Sequence, residues 1–154
     1  MASLIPMNPR LDILLVDDDP NDQLLVRTAS KHFGLELSLQ VVRDGEEAIA
    51  YLTGAREFTD RVRFPFPNVL LTDLKMPGMN GFELLLWLRE NPQHSVVPTI
   101  VFTSSRIESD VRRAYELGAN SFMVKPQGLK QLMEAIRITH EFWSRCERLP
   151  AGQR

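Results

Sequence analysis

Four groups of polar side chains each follow a short apolar run of strand length. The first run ends in Asp17 and Asp18, and later runs end in Asp73, Thr103 and Lys125. Three carboxylates can bind a hard divalent cation such as Mg²⁺, a lysine supplies positive charge, and a threonine hydroxyl can donate to an anionic oxygen. Together these groups suit phosphoryl transfer in which a carboxylate nucleophile forms an acyl phosphate.

Asp73 and Asp19 also have simpler interpretations. Asp73 lies where an apolar strand is stopped by Pro77-Gly78, and aspartate is a common turn residue there. Asp19 is explained as the N-cap of a helix whose first residue is proline. That leaves Asp17 and Asp18, two adjacent carboxylates that repel each other and are costly to desolvate. Taken alone, the pair is explained equally well by a bound cation and by simple exposure to water. The functional interpretation therefore depends on whether the four groups meet.

The order of apolar and helical patterns predicts that they do. Strands are predicted at 11–16, 35–41, 69–72, 98–102 and 121–124, with helices between and after them. This alternation predicts a three-layer α/β sandwich with a parallel sheet. The carboxyl ends of all strands in such a sheet open on one side, which brings the scattered groups to one edge.

Several local patterns mark the helices and loops. Asp44, Asn80 and the pair Ser105 and Glu108 match helix-capping patterns. Residues 55–67 have no clean period and are predicted to form a long surface loop.

The last helix is predicted to run from Gly128 to about Leu149 with two apolar faces. One face packs on the sheet. The far end of the helix predicts a homodimer interface of Ile138, Phe142, Trp143 and Leu149.

The composition limits the class of protein. The chain has 154 residues, the size of one domain, with 18 basic and 20 acidic side chains, so it carries no electrostatic footprint for nucleic acid. The single Cys146 cannot form an intramolecular disulfide. No segment resembles a signal peptide or a membrane span, so we expect a cytoplasmic protein without a membrane partner.

These residues, in this order and spacing, resemble the receiver domain of two-component response regulators over residues 11–137. We expect one domain over 1–154, with an extension of the last helix at 138–149. The resemblance implies a doubly wound, flavodoxin-like sheet of five parallel strands in the order 2-1-3-4-5 with five helices. It also implies that Asp73 accepts phosphate from a sensor histidine kinase, while Asp18 binds Mg²⁺ directly and Asp17 binds it through water.

Further roles follow from the same resemblance. The backbone carbonyl of Lys75 would bind the metal, and Thr103 and Lys125 would hold the phosphoryl oxygens. Phe122 occupies the place of the family's switching aromatic residue, which acts with Thr103. Members of the family commonly have a cis peptide at the position of Lys125-Pro126.

The chain also departs from the common pattern of the family. No output domain follows, so it resembles a stand-alone regulator that acts by docking. The loop at 55–67 and the tail from Phe142 are similar to regulators paired with phytochrome kinases, which dimerise. Lys75 lies at a position that in this family influences the access of hydrolytic water, so we expect a long-lived phosphoryl group.

Two other functions stay open. A phosphatase of the haloacid dehalogenase type also uses a strand-terminal acid. That family has the pattern Asp-x-Asp-x-Thr after its first strand, and this chain has asparagine in place of the threonine, in Asp17-Asp18-Asp19-Pro20-Asn21. A pseudo-receiver would bind partners without taking phosphate. We expect a phosphoacceptor that catalyses its own phosphorylation and dephosphorylation, and not an enzyme that turns over a metabolite.

Overall fold

Strands and helices alternate along the chain. The structure is a computed structural model that describes residues 2, 4, 10–33 and 37–147, without the side chains of 37 and 38. The strands are β1 (Leu11–Val16), β2 (Leu37–Val42), β3 (Val69–Thr72), β4 (Thr99–Thr103) and β5 (Ser121–Val124). The helices are α1 (Pro20–His32), α2 (Gly45–Thr53), α3 (Gly81–Glu90), α4 (Glu108–Glu116) and α5 (Leu129–Arg145).

All five strands pair in parallel in the order β2-β1-β3-β4-β5. This order confirms the predicted doubly wound sheet, with β2 at one edge. The bounds of β1, β3 and β5 are those predicted from the apolar runs. Because every strand points the same way, the residues after Val16, Thr72 and Val124 lie along one edge of the sheet.

Apolar side chains cover both faces of the sheet. On one face, α1 and α5 pack against β1, β3 and β4 through a cluster that includes Val26, Ala29, Leu132 and Ile136. On the other face, α2 and α3 pack through Tyr51, Leu52, Leu84 and Leu88. Burial on both faces accounts for the almost unbroken apolar runs of the central strands.

Three helix starts match their sequence patterns. The carboxylate of Asp19 accepts a hydrogen bond from the Asn21 N–H at 2.8 Å, directly before Pro20. Asp44 caps α2 and Asn80 caps α3 in the same way. These caps satisfy N–H groups that have no partner inside the helix.

The predicted cap of α4 is wrong. The helix begins at Glu108 with Ile107 as its N-cap residue, so Ser105 lies outside it. The Ser105 hydroxyl instead donates to Asp110 Oδ2 at 2.6 Å and accepts from the Ile107 N–H at 3.3 Å. The Ser105 hydroxyl therefore bonds to Asp110 and does not form the predicted capping box with Glu108.

The segment 55–67 is less exposed than the predicted surface loop. It contains a short 3-10 helix at Arg56–Thr59, and Phe58 and Phe66 are buried in the core beside α2. Arg61 fixes its backbone by donating to the carbonyl oxygens of Tyr51, Leu52 and Phe64 at 2.7, 2.8 and 3.1 Å. The buried aromatic residues of this segment are not regularly spaced in the sequence, which explains why their burial was not predicted.

The last helix is shorter than predicted. It ends at Arg145, and Leu149 lies outside the described residues. Ile138 and Phe142 are exposed, whereas Trp143 packs in part against the cluster beneath α1 and α5. Among the residues that the structure describes, no helix is long and apolar enough to cross a membrane.

Gly81 allows α3 to begin close to the backbone at the edge of the sheet. It begins α3, and its N–H donates to the Leu74 carbonyl at 2.9 Å. A Cβ atom at this position would overlap the carbonyl oxygen of Asp73 and lie 2.8 Å from the Leu74 Cα. The absence of a side chain lets α3 start directly beside Asp73.

We expect Gly81→Ala to lower the free energy of unfolding by about 2 kcal/mol, because the obstructing atoms belong to the backbone and must shift. Gly128→Ala is the matched control. The added Cβ there meets only the end of the Gln131 side chain, which can rotate away, so the loss should stay below about 1 kcal/mol. Urea unfolding measures both values, and equal losses would contradict this role of Gly81.

Candidate functional site

The site lies at the carboxyl edge of the parallel sheet, on residues that directly follow three strands. The N–H of Asp17 donates to Val42, that of Asp73 to Val16, and that of Lys125 to Thr103, at 3.0, 2.9 and 2.7 Å. These bonds continue the strand ladders by one residue. The three side chains therefore project from rigid backbone.

Lys125 joins the carboxylates of this edge. Its Nζ donates to Asp17 Oδ2 at 2.6 Å, Asp22 Oδ2 at 2.8 Å and Asp73 Oδ2 at 2.9 Å. Its side chain is only 8% exposed. An ammonium group has three N–H donors, so every donor is used on a carboxylate.

The same contacts decide how these groups ionise. Burial lowers the pKa of Lys125, but the hydrogen bonds to Asp17, Asp22 and Asp73 outweigh it and raise the pKa above its ordinary value. Burial raises the pKa of Asp17, and the bonds from Lys125 and the Asp19 N–H offset this only in part. Lys125 thus stays charged, and three carboxylates face one ammonium.

Asp73 is held through both its side chain and its backbone. Its Oδ1 accepts from the Leu74 N–H at 2.7 Å, and its carbonyl oxygen accepts from the Thr72 hydroxyl at 2.8 Å. The side chain is 12% exposed, so a small part of it is accessible from solvent. Such a fixed, accessible carboxylate can act as a nucleophile.

The donor set fits a divalent cation. Carboxylate oxygens of Asp17, Asp18 and Asp73 lie within 4.8 Å of one another, with Asp18 on the exposed side. Clustered carboxylate oxygens are the ligands that hard cations such as Mg²⁺ prefer. A cation would also compensate the excess negative charge that Lys125 leaves.

Lys75 and Thr103 are linked through the start of α4. Thr103 is buried, and its Oγ1 accepts from the Ser105 N–H at 3.3 Å. Ser105 bonds to Asp110, whose Oδ2 also lies 3.9 Å from the Lys75 Nζ. Within the described chain, the hydroxyl of Thr103 makes no hydrogen bond to the side chain of Asp73 or Lys125. The carbonyl of Lys75 as a metal ligand stays a prediction.

Two further expectations have different outcomes. Phe122 is half-buried against a cluster that includes Leu74, Phe82 and Val101, and its switching role stays a prediction. The expected cis peptide at Lys125-Pro126 is wrong, because the described chain contains no cis peptide bond.

Asp22 is the residue of this site that the sequence analysis missed. It lies in the first turn of α1 and not directly after a strand, which was the signal used for the other residues. Its position three residues after the Asp19 cap, on a helix that starts at the sheet edge, could have indicated it.

A cavity of about 890 Å³ opens beside Lys125. It is bounded by α1, the loop after β4 and the start of α5, and its polar lining includes Asp22, Ser104, Arg106 and Gln127. Asp22 and Lys125 line this cavity, whereas Asp17, Asp18 and Asp73 do not.

The fold is a doubly wound α/β domain, and its site combines a carboxylate cluster with one lysine at the carboxyl edge of the sheet. This combination places the protein among α/β domains whose sheet edge is suited to a divalent cation. Comparison with known sequences gives the family. The chain belongs to the response regulator receiver domain family, whose sequence profile matches residues 13–137. The resemblance found in the sequence is confirmed, and the protein is a response regulator receiver domain of two-component systems.

Its relatives include regulators linked to phytochromes. The chain is 35% identical over 145 residues to response regulator Rcp1 of Synechocystis, which covers 94% of this chain and 97% of Rcp1. The structure of the phosphorylated cyanobacterial phytochrome response regulator RcpA superposes with a TM-score of 0.81 at 30% identity, over 90% of this chain and 98% of RcpA. The structure of the Mn²⁺-bound form of Rcp1 superposes with a TM-score of 0.80 at 35% identity, over 92% of this chain and 99% of Rcp1.

A divalent cation should stabilise the protein, because it binds the folded carboxylate cluster and not the unfolded chain. At a hundredfold excess over its Kd, Mg²⁺ should add about 2.7 kcal/mol to the free energy of unfolding. Asp18→Asn should remove most of this increment. Asp60→Asn, in the loop before β3, should keep it. Thermal unfolding with and without Mg²⁺ measures the difference, and equal stabilisation of both variants would place the cation elsewhere.

Proposed function

We propose that the protein accepts a phosphoryl group on Asp73 from the phosphohistidine of a sensor histidine kinase, in a reaction that requires Mg²⁺. The single observation that carries the proposal is the Lys125 ammonium 2.9 Å from Asp73 Oδ2, beside the carboxylates of Asp17 and Asp18. A carboxylate nucleophile, a fixed positive charge and a cation site are the parts that phosphoryl transfer needs.

The transfer is an in-line displacement. A carboxylate oxygen of Asp73 forms a bond to phosphorus while the phosphorus–nitrogen bond of the phosphohistidine breaks. The electron pair of that bond stays on the imidazole nitrogen, which takes up a proton from water. Bound Mg²⁺ supplies positive charge to the transferring oxygens.

The residues around Asp73 have separate tasks. The Leu74 N–H and Lys125 orient the carboxylate before transfer. Lys125 then shifts one hydrogen bond from Asp73 to an oxygen of the arriving group, and the hydroxyl of Thr103 donates to another. Positioned donors of this kind stabilise the charge that spreads over the phosphoryl oxygens.

Two comparisons support the partner and the cation. RcpA is described as a cyanobacterial phytochrome response regulator and was seen phosphorylated, and Rcp1 was seen with bound Mn²⁺. We therefore propose a phytochrome-type histidine kinase as the donor and Mg²⁺ as the cellular cation. The protein turns over no metabolite in this scheme.

Asp73→Asn should abolish phosphorylation, because an amide is not a nucleophile for phosphorus. The test is intact-mass spectrometry after incubation with Mg²⁺ and acetyl phosphate. Wild type should gain one phosphoryl group and Asp73→Asn none. Asp19→Asn is the matched control, since asparagine also caps α1, and it should gain the group as wild type does.

The other outcomes of this experiment separate the alternatives. Steady release of phosphate without an adduct would support a phosphatase. The absence of both an adduct and released phosphate would support a pseudo-receiver. A persistent adduct in Asp73→Asn would show that a different residue is the acceptor.

We also propose that α5 forms a homodimer interface through which the signal is read. Ile138 is 49% and Phe142 59% exposed, one helical turn apart. Arg137 beside them forms ion pairs with Glu134 and Glu141 at 2.6 and 2.7 Å. Exposed apolar side chains bordered by ion pairs match the core and polar rim of an interface.

Replacing both Ile138 and Phe142 by alanine should weaken dimerisation by about tenfold or more, because the apolar centre of the interface is lost. Leu24→Ala, at an exposed leucine of α1, is the matched control and should leave the dimer intact. Sedimentation with and without a phosphoryl mimic measures the mass. A wild type that is monomeric under both conditions would exclude this interface.

A further inference from the structure

Asp22 holds Lys125 from outside the cation site. Its Oδ2 accepts from the Lys125 Nζ at 2.8 Å, close to the 2.6 and 2.9 Å of the bonds to Asp17 and Asp73. The carboxylates that can share one cation are Asp17, Asp18 and Asp73, and Asp22 is not among them. Of the three partners of Lys125, Asp22 alone is free of that second task.

The difference matters when the site is loaded. Asp17 and Asp73 must share their charge with a cation, and Asp73 must also bond to phosphorus. The hydrogen bonds of Lys125 to Asp17 and Asp73 should then weaken. The ammonium stands at the end of a flexible four-carbon chain, so its position depends on the partners that remain.

Asp22 is well placed to keep that position. It lies in the first turn of α1, where the helix N-terminus favours a carboxylate. Its side chain is 30% exposed, and it borders the cavity that opens beside Lys125. A carboxylate held by a packed helix gives the ammonium a fixed anchor on the α1 side of the site.

We propose that Asp22 is a positioning residue for phosphoryl transfer: it anchors the Lys125 ammonium to α1 while Asp17 and Asp73 are engaged by the cation and the phosphoryl group. The proposal rests on the function proposed above. Asp22 touches neither the reacting atoms nor the cation, so it acts through the orientation of Lys125.

The test measures the rate of phosphorylation of Asp22→Asn by acetyl phosphate in saturating Mg²⁺, as a function of donor concentration. The maximal rate should fall about tenfold, the size expected when one charge-assisted hydrogen bond that orients the site is lost. The Kd for Mg²⁺ should change by less than about threefold, since all three cation ligands remain. Asp22→Glu keeps a carboxylate and should restore most of the rate.

Asp19→Asn controls for the loss of one negative charge near the site. It removes a carboxylate in the same turn of chain that has no contact with Lys125 and keeps the helix cap. Thermal unfolding of each variant shows whether it is folded. A purely structural role for Asp22 would lower the unfolding midpoint without rescue of the rate in Asp22→Glu.

The outcomes separate the two proposals. If wild type takes no phosphate, the proposed function fails and the role of Asp22 fails with it. If wild type is phosphorylated and Asp22→Asn reacts as fast as Asp19→Asn, the anchoring role of Asp22 alone is overturned. An equal loss of rate in both variants would assign the effect to net charge and would also overturn it.

Discussion

The Lys125 ammonium connects parts of the fold that the sequence keeps far apart. Its three hydrogen bonds reach the residues after β1 and β3 and the first turn of α1, while its own backbone continues β5. Burying an ammonium is costly unless every donor is satisfied, and here each one meets a carboxylate. The arrangement leaves net negative charge at the edge of the sheet. That surplus favours the binding of a divalent cation, which would compensate it.

The rest of the structure keeps these charges in place. Parallel pairing carries the backbone hydrogen bonds one residue beyond the strands, to Asp17, Asp73 and Lys125. Gly81 allows α3 to start against the backbone of Asp73, and Asp110 contacts both Ser105 and Lys75 across two neighbouring loops. The loop that follows Asp73 is therefore joined to α4 through the ion pair of Lys75 and Asp110.

Patterns with a local cause were predictable from the sequence. Apolar runs predicted β1, β3 and β5 to the residue, and short-range caps predicted the starts of α1, α2 and α3. The meeting of Asp17, Asp73 and Lys125 followed from the parallel sheet alone. Contacts between distant parts of the chain were not predictable. The hydrogen bond between Lys125 and Asp22 depends on how α1 is oriented. The burial of Phe58 depends on packing in a segment whose apolar residues are not regularly spaced in the sequence.

The site depends on a charged Lys125 ammonium, whose hydrogen bonds to Asp17, Asp22 and Asp73 outweigh the effect of burial on its pKa. Nuclear magnetic resonance of the lysine side chains, recorded against pH without divalent cations, tests it most directly. The pKa of Lys125 should lie above that of an ordinary lysine and should fall when Asp73 is replaced by asparagine. A pKa below the ordinary value, with a neutral amine near pH 7, would show instead that burial outweighs the carboxylates.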